Sequence, residues 1–212
     1  MMSARTLAAI VVPTAVAFSV AAYAADDSAA LAAGRDLARG ICSDCHGVSG
    51  NPTSSSFPKL AAQPLPYLIK QLREFQGRHR VDDAARFMWG EAGKLNDERI
   101  HNVALYFSKQ KATPGAPASP EVVLAGSRIF QSGIPDKDVP ACSQCHGDKG
   151  QGSAEAEAPR LAGQWSRYLL AQLKVFSSDQ RPAAVAMHAI VPMLSSSDIE
   201  ILAEYLQALR TE

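Results

Sequence analysis

The sequence predicts an all-α fold of two tandem helical domains, and three observations carry that prediction. The chain matches itself at an offset near 100 residues, so a duplication organises it. Within each copy the apolar side chains recur at helical steps, as in Leu65, Leu68, Leu72 and Phe75 or in Leu169, Leu173 and Phe176. No series of alternating apolar and polar runs separated by hairpin turns is found.

The elements follow in chain order. Residues 1–24 hold Arg5, an apolar run from Leu7 to Val20 and then Ala22-Tyr23-Ala24, the pattern of an export signal cleaved after Ala24. That run is short for a bilayer span of about 20 apolar residues, and Pro13 interrupts it. The mature chain is therefore expected in the periplasm. A first domain is expected over residues 25–112 and a second over 121–212, joined by the linker Thr113-Pro114-Gly115-Ala116-Pro117-Ala118-Ser119-Pro120. Three prolines favour extended backbone there, and at about 3.1 Å per residue the segment spans at most roughly 25 Å, which keeps the domains close. The closing helix of the second domain begins with Ser195 and Asp198, a capping box, and Ile199, Leu202, Tyr205, Leu206 and Leu209 share its face. Each domain is small, so a large apolar cofactor is a plausible part of its core.

Charge excludes one class of partner. Lys and Arg equal Asp and Glu at 21 each, which gives no basic surface for nucleic acid. The balance is uneven along the chain: residues 25–112 carry net +2 and residues 113–212 net −3. Such a dipole orients encounters with charged partners at low salt.

The repeat is richest around the cysteines. Cys42-Ser43-Asp44-Cys45-His46-Gly47 recurs as Cys142-Ser143-Gln144-Cys145-His146-Gly147. Cys-x-x-Cys-His is the attachment signature of haem c: two thiols one helical turn apart reach the two vinyl groups on one haem edge, and the next imidazole lies below the iron. Two disulfides, a thioredoxin-type redox pair and a four-cysteine zinc site joining the repeats are the competing readings. None of them accounts for a histidine in the same place in both copies. Met88 and Met187 stand seven residues before Leu95 and Leu194, and a thioether on the second face of a haem iron raises its potential. Met193 competes in the second half, but Lys94 occupies its place in the first. His79, His101 and His188 have no counterpart in the other copy and read as surface or packing residues.

With Phe57-Pro58-Lys59-Leu60-Ala61, Pro159-Arg160-Leu161-Ala162 and the helices holding Tyr67 and Tyr168, nearly the whole mature chain resembles the dihaem cytochromes of the cytochrome c4 family, built from two class I cytochrome c domains. The resemblance implies two covalently attached haem c groups, one on Cys42 and Cys45 with His46 and Met88 axial, the other on Cys142 and Cys145 with His146 and Met187 axial. It also implies that the Pro58 and Pro159 carbonyls accept the Nδ1 hydrogen bonds of the two histidines. Arg80 and Arg181 depart from a strict repeat, standing at different distances from their methionines.

Iron ligated on both faces has no vacant position for a substrate, so the expectation is a one-electron carrier with no catalytic residues. Its expected partners are redox proteins, a quinol-oxidising complex as donor and a terminal oxidase or similar acceptor, with peripheral membrane association. A cytochrome subunit of a flavocytochrome sulfide dehydrogenase and a dihaem peroxidase are the alternatives.

Overall fold

The computed structural model describes residues 27–83 and 85–211; the expected export signal lies outside them. Helix α1 (27–37) runs into a π-helical turn, Ala38–Cys42, and a one-turn helix α2 (Ser43–His46). Then come α3 (Leu65–Gln76), α4 (Ala85–Ala92) and α5 (Asp97–Ser108). The second half repeats the order: α6 (Pro120–Ser132), α7 (Ser143–His146), α8 (Ser166–Val175), α9 (Val185–Ile190) and α10 (Ser196–Ala208). Among the described residues, β pairing is confined to two isolated bridges, Ile134 with Val139 and Ser153 with Ala158. The all-α expectation holds.

Local chemistry places the helix ends. Asn96 caps α5 by accepting from the Arg99 N–H at 2.9 Å, and the capping box of Ser195 and Asp198 forms at α10. Ser119 caps α6 and Pro120 is already inside its first turn, so the helix takes the last residue expected in the linker.

Each half is closed by a glycine. A Cβ on Gly34 would collide with the Asn102 carbonyl and the Tyr106 Cβ, and one on Gly126 with the ring and Cβ of Tyr205. The first helix of each half therefore crosses the last at close range. Around these crossings lie two matched cores. One joins Ala38, Leu68, Val103, Ala104 and Phe107; the other joins Ile129, Phe130, Leu169, Leu202, Ala203 and Leu206. The copies differ between glycine and first cysteine: Gly34 precedes Cys42 by eight residues, Gly126 precedes Cys142 by sixteen, and the extra chain forms a loop with a 3-10 turn at Pro135–Lys137.

The halves meet through polar groups. Val81 N–H donates to the Gln180 carbonyl at 2.9 Å. Gln164 takes the Lys59 N–H on Oε1 and gives Nε2–H to the Lys59 carbonyl, both at 2.9 Å. Gln63 treats Arg160 in the same way, again with both bonds at 2.9 Å. Lys59 also pins the linker, its ammonium donating to the Thr113 and Pro114 carbonyls and lying over the Trp165 ring. Among the described residues no single helix is long and apolar enough to cross a membrane.

Candidate functional site

The two Cys-x-x-Cys-His segments open on the N-cap residues Cys42 and Cys142 and run through α2 and α7, each followed by a glycine with positive φ, Gly47 at 72° and Gly147 at 78°. That conformation ends the helical turn directly after the histidine. All four cysteines are free, and Cys45 and Cys145 reach the surface. Burial pushes the Cys42 and Cys142 thiols up to about 11. A redox nucleophile needs the opposite shift, which disfavours the thioredoxin-type reading. Nor do the cysteine pairs converge: among the described residues no group of three or more His, Cys, Asp or Glu is arranged to hold a metal ion, so the zinc site joining the repeats does not form.

Both histidines are prepared as ligands. His46 and His146 are buried at 7% exposure each. Their Nδ1 atoms lie 3.0 Å from the Pro58 carbonyl and 2.9 Å from the Pro159 carbonyl. A carbonyl only accepts, so Nδ1 carries the proton and the neutral ring keeps its lone pair on Nε2. Burial holds both imidazoles below their ordinary value, against the opposing effect of the carbonyl bond. The contact that the resemblance implied is therefore present in both halves.

The methionines follow the repeat less closely. Met88 lies half-buried on α4 and Met187 half-buried on α9, where it packs against the cluster of Phe176, Val191 and Ile199. Met193 is 44% exposed. The residue after each methionine does the same work with different chemistry: Trp89 donates its indole N–H to the Arg80 carbonyl and His188 its Nε2–H to the Arg181 carbonyl, both at 2.8 Å. His188 is thus a specific anchor rather than a bystander. Trp and His share little as letters, so the equivalence shows only in three dimensions. His79 and His101 are exposed, as read from the sequence.

Arg80 and Arg181, unequal in sequence spacing, come together between the halves. Each lies over the phenylalanine of its own repeat, Phe75 or Phe176, and each bonds both repeat glutamines, Gln71 and Gln172, at 2.6–3.1 Å. Asp82 pairs with Arg80 at 3.2 Å. Burial works against the charge on Arg80, and neighbouring Tyr168, Tyr67 and Asp82 more than reverse that effect. Two buried guanidiniums against one carboxylate leave one positive charge over. That excess suits the carboxylates on a haem's rim. The Trp165 indole N–H is buried with no partner among the described residues. Free thiols one turn apart, Nε2 lone pairs, unspent positive charge and an orphan donor together fit haem c.

The Cytochrome c family model matches residues 123–210. The chain is 35% identical to the cytochrome c4 of Stutzerimonas stutzeri over 178 residues, 80% of this chain and 84% of that one. The chain belongs to the cytochrome c4 family. The reduced recombinant cytochrome c4 crystal structure from Pseudomonas stutzeri superposes with a TM-score of 0.76 at 34% identity, covering 84% of this chain and 97% of that chain. A thiosulfate dehydrogenase from Marichromatium purpuratum gives 0.74 at 31% identity, covering 85% of this chain but 40% of the other. As a cytochrome c4 homologue the protein is a dihaem electron carrier with haem c as cofactor, consistent with the two Cys-x-x-Cys-His motifs.

Proposed function

We propose that the chain is a periplasmic one-electron shuttle between respiratory partners and has no catalytic activity of its own. The observation that carries this reading is the matched pair of buried neutral histidines, each with Nδ1 spent on a proline carbonyl. Cys42 and Cys45, and Cys142 and Cys145, would hold the two haems as thioethers; His46 with Met88 and His146 with Met187 would close the two faces of each iron. A bound haem c supplies a reversible one-electron couple. The residues named for ligation leave no position for a substrate. The expected donor is a quinol-oxidising complex and the expected acceptor a terminal oxidase or similar protein.

The likeness to a thiosulfate dehydrogenase supports a second choice of partner, a dehydrogenase that oxidises a sulfur compound. Co-purification of a stoichiometric dehydrogenase would favour it, as would a flavoprotein for the sulfide-oxidising variant. The test of the main reading is intact-protein mass spectrometry followed by an optical redox titration. Two added porphyrin masses, two one-electron steps and no rapid binding of carbon monoxide by the reduced protein are expected. One porphyrin or none refutes the paired relay, and rapid carbon monoxide binding points to a peroxidase.

A further inference from the structure

The peptide between Pro58 and Lys59 carries two hydrogen bonds from opposite directions. His46 Nδ1–H donates to its carbonyl oxygen at 3.0 Å, and its N–H donates to Oε1 of Gln164 in the other half at 2.9 Å. The peptide between Pro159 and Arg160 is bonded in the same way by His146 at 2.9 Å and by Gln63 at 2.9 Å. Each glutamine also returns its amide N–H to the carbonyl of the same Lys59 or Arg160. This return bond fixes which end of the amide faces which group. Both side chains are 5% exposed. Each follows a residue in the left-handed region, Ala62 at φ 56° and Gly163 at φ 77°. For Ala62 that conformation costs about 1 kcal/mol; the tight turn it belongs to is the one that presents Gln63.

We propose that Gln164 and Gln63 are positioning residues that tune, from the opposite domain, the donor strength of His46 and His146. The proposal rests on the reading of these histidines as axial ligands. An acceptor on the N–H end of a peptide draws electron density toward its oxygen, so the oxygen becomes a stronger acceptor for the histidine. A histidine that gives more of its Nδ1 proton is the more basic at Nε2, and a more basic ligand favours the oxidised metal. Each domain thus lowers the potential of its neighbour's site through three atoms of peptide and one amide. The copies are not identical: Gln164 Oε1 also takes the Trp165 N–H at 3.1 Å, whereas Gln63 is followed by Pro64, which has none. Gln63 spends its oxygen on Arg160 alone.

The test uses the full-length, haem-loaded protein and the variants Gln164→Leu, Gln164→Glu and Gln63→Leu. The midpoint potential of each haem is followed through its own haem-methyl NMR signals, assigned by contacts to residues of that half. Gln164→Leu is expected to shift the first-domain equilibrium about twofold toward the reduced form, about 18 mV at 59 mV per tenfold, with the second-domain haem unmoved. Gln63→Leu gives the mirror result with a larger shift. Gln164→Glu keeps an acceptor and adds charge, so it moves the first-domain haem the opposite way, and it carries the test should the leucine variant fail to fold. Equal shifts in both haems, a shift confined to the mutated domain, or no shift in any variant overturns the proposal. The strongly shifted ring-proton NMR signals of an iron-bound imidazole in the oxidised wild type are the separate check: their absence defeats the histidine-ligand reading itself, whatever the pattern of shifts.

Discussion

At the scale of single residues, the buried ionic cluster makes an asymmetric prediction. Arg80 holds Gln71 and Gln172 as well as Asp82. Among the described residues, the side-chain partners of Asp82 are Arg80 and a long 3.4 Å contact from Gln172 Nε2. Arg80→Leu strands a buried carboxylate and is expected to cost about 3–5 kcal/mol. Asp82→Asn leaves the guanidinium its two glutamine acceptors and should cost clearly less, about 1–2 kcal/mol. Urea unfolding of both variants checks the order, and equal losses would show that Asp82 does not depend on Arg80. The proposed ligands give a second prediction at this scale: Met187→Ala should abolish the sulfur-to-iron charge-transfer band of one haem and lower its potential, since a thioether raises it. An unchanged spectrum would reassign that ligand. The paired histidines and cysteines could be read directly from sequence because adjacency along the chain is also adjacency in space. Asp82 could not, because position 183, its counterpart in the repeat, holds alanine and the pairing exists only when two halves meet.

Helices carry the next level of argument. The obstacle to a side chain at position 34 is the Asn102 backbone carbonyl, and at position 126 it is the Tyr205 Cβ, which moves only with its own backbone. Gly34→Ala and Gly126→Ala should therefore both destabilise, by at least the roughly 1–3 kcal/mol typical of overpacking. Thermal unfolding of the two variants checks both losses, and an unchanged midpoint in either would show that its crossing can open. The start of α10 responds to acid as well. Burial raises the Asp198 carboxyl, but Lys137 at 2.7 Å and Ser195 outweigh it and hold the group below its ordinary 3.8. A depressed folded-state value means the contribution is complete above the unfolded value and is lost as pH falls below about 3.8. Asp198→Asn should flatten that part of the stability curve, and Ser195→Ala should cost about 1 kcal/mol at neutral pH. Of the two helices in each Gly-to-Tyr crossing, only the closing one was read from sequence, by its apolar face. The π-helical turn at Ala38–Cys42 and the longer loop before Cys142 were not, since the self-match that reveals the duplication breaks where one copy has gained residues.

For the whole molecule, the duplication read from sequence understates how far the halves depend on each other. The linker composition suggested a tether, but its Thr113 and Pro114 carbonyls are held by Lys59, and the contact between halves includes buried polar groups, Gln63, Gln164, Arg80 and Arg181. The four bonds made by Gln63 and Gln164 contribute about 2–6 kcal/mol at 0.5–1.5 kcal/mol each, comparable with the stability of a small domain. Unfolding of one half should therefore pull down the other, and calorimetry is expected to show one transition whose van't Hoff and calorimetric enthalpies agree. The exposed Lys70–Glu157 pair, which also bridges the halves at 2.7 Å, should matter little, and removing it should leave the transition single. Replacing Gln63 and Gln164 together by leucine should split it in two, because the buried peptide groups of Lys59 and Arg160 lose their partners while each half keeps its own apolar core. If the double variant still melts in one step, coupling resides instead in the arginine cluster, and adding Arg181→Met to it should then separate the halves.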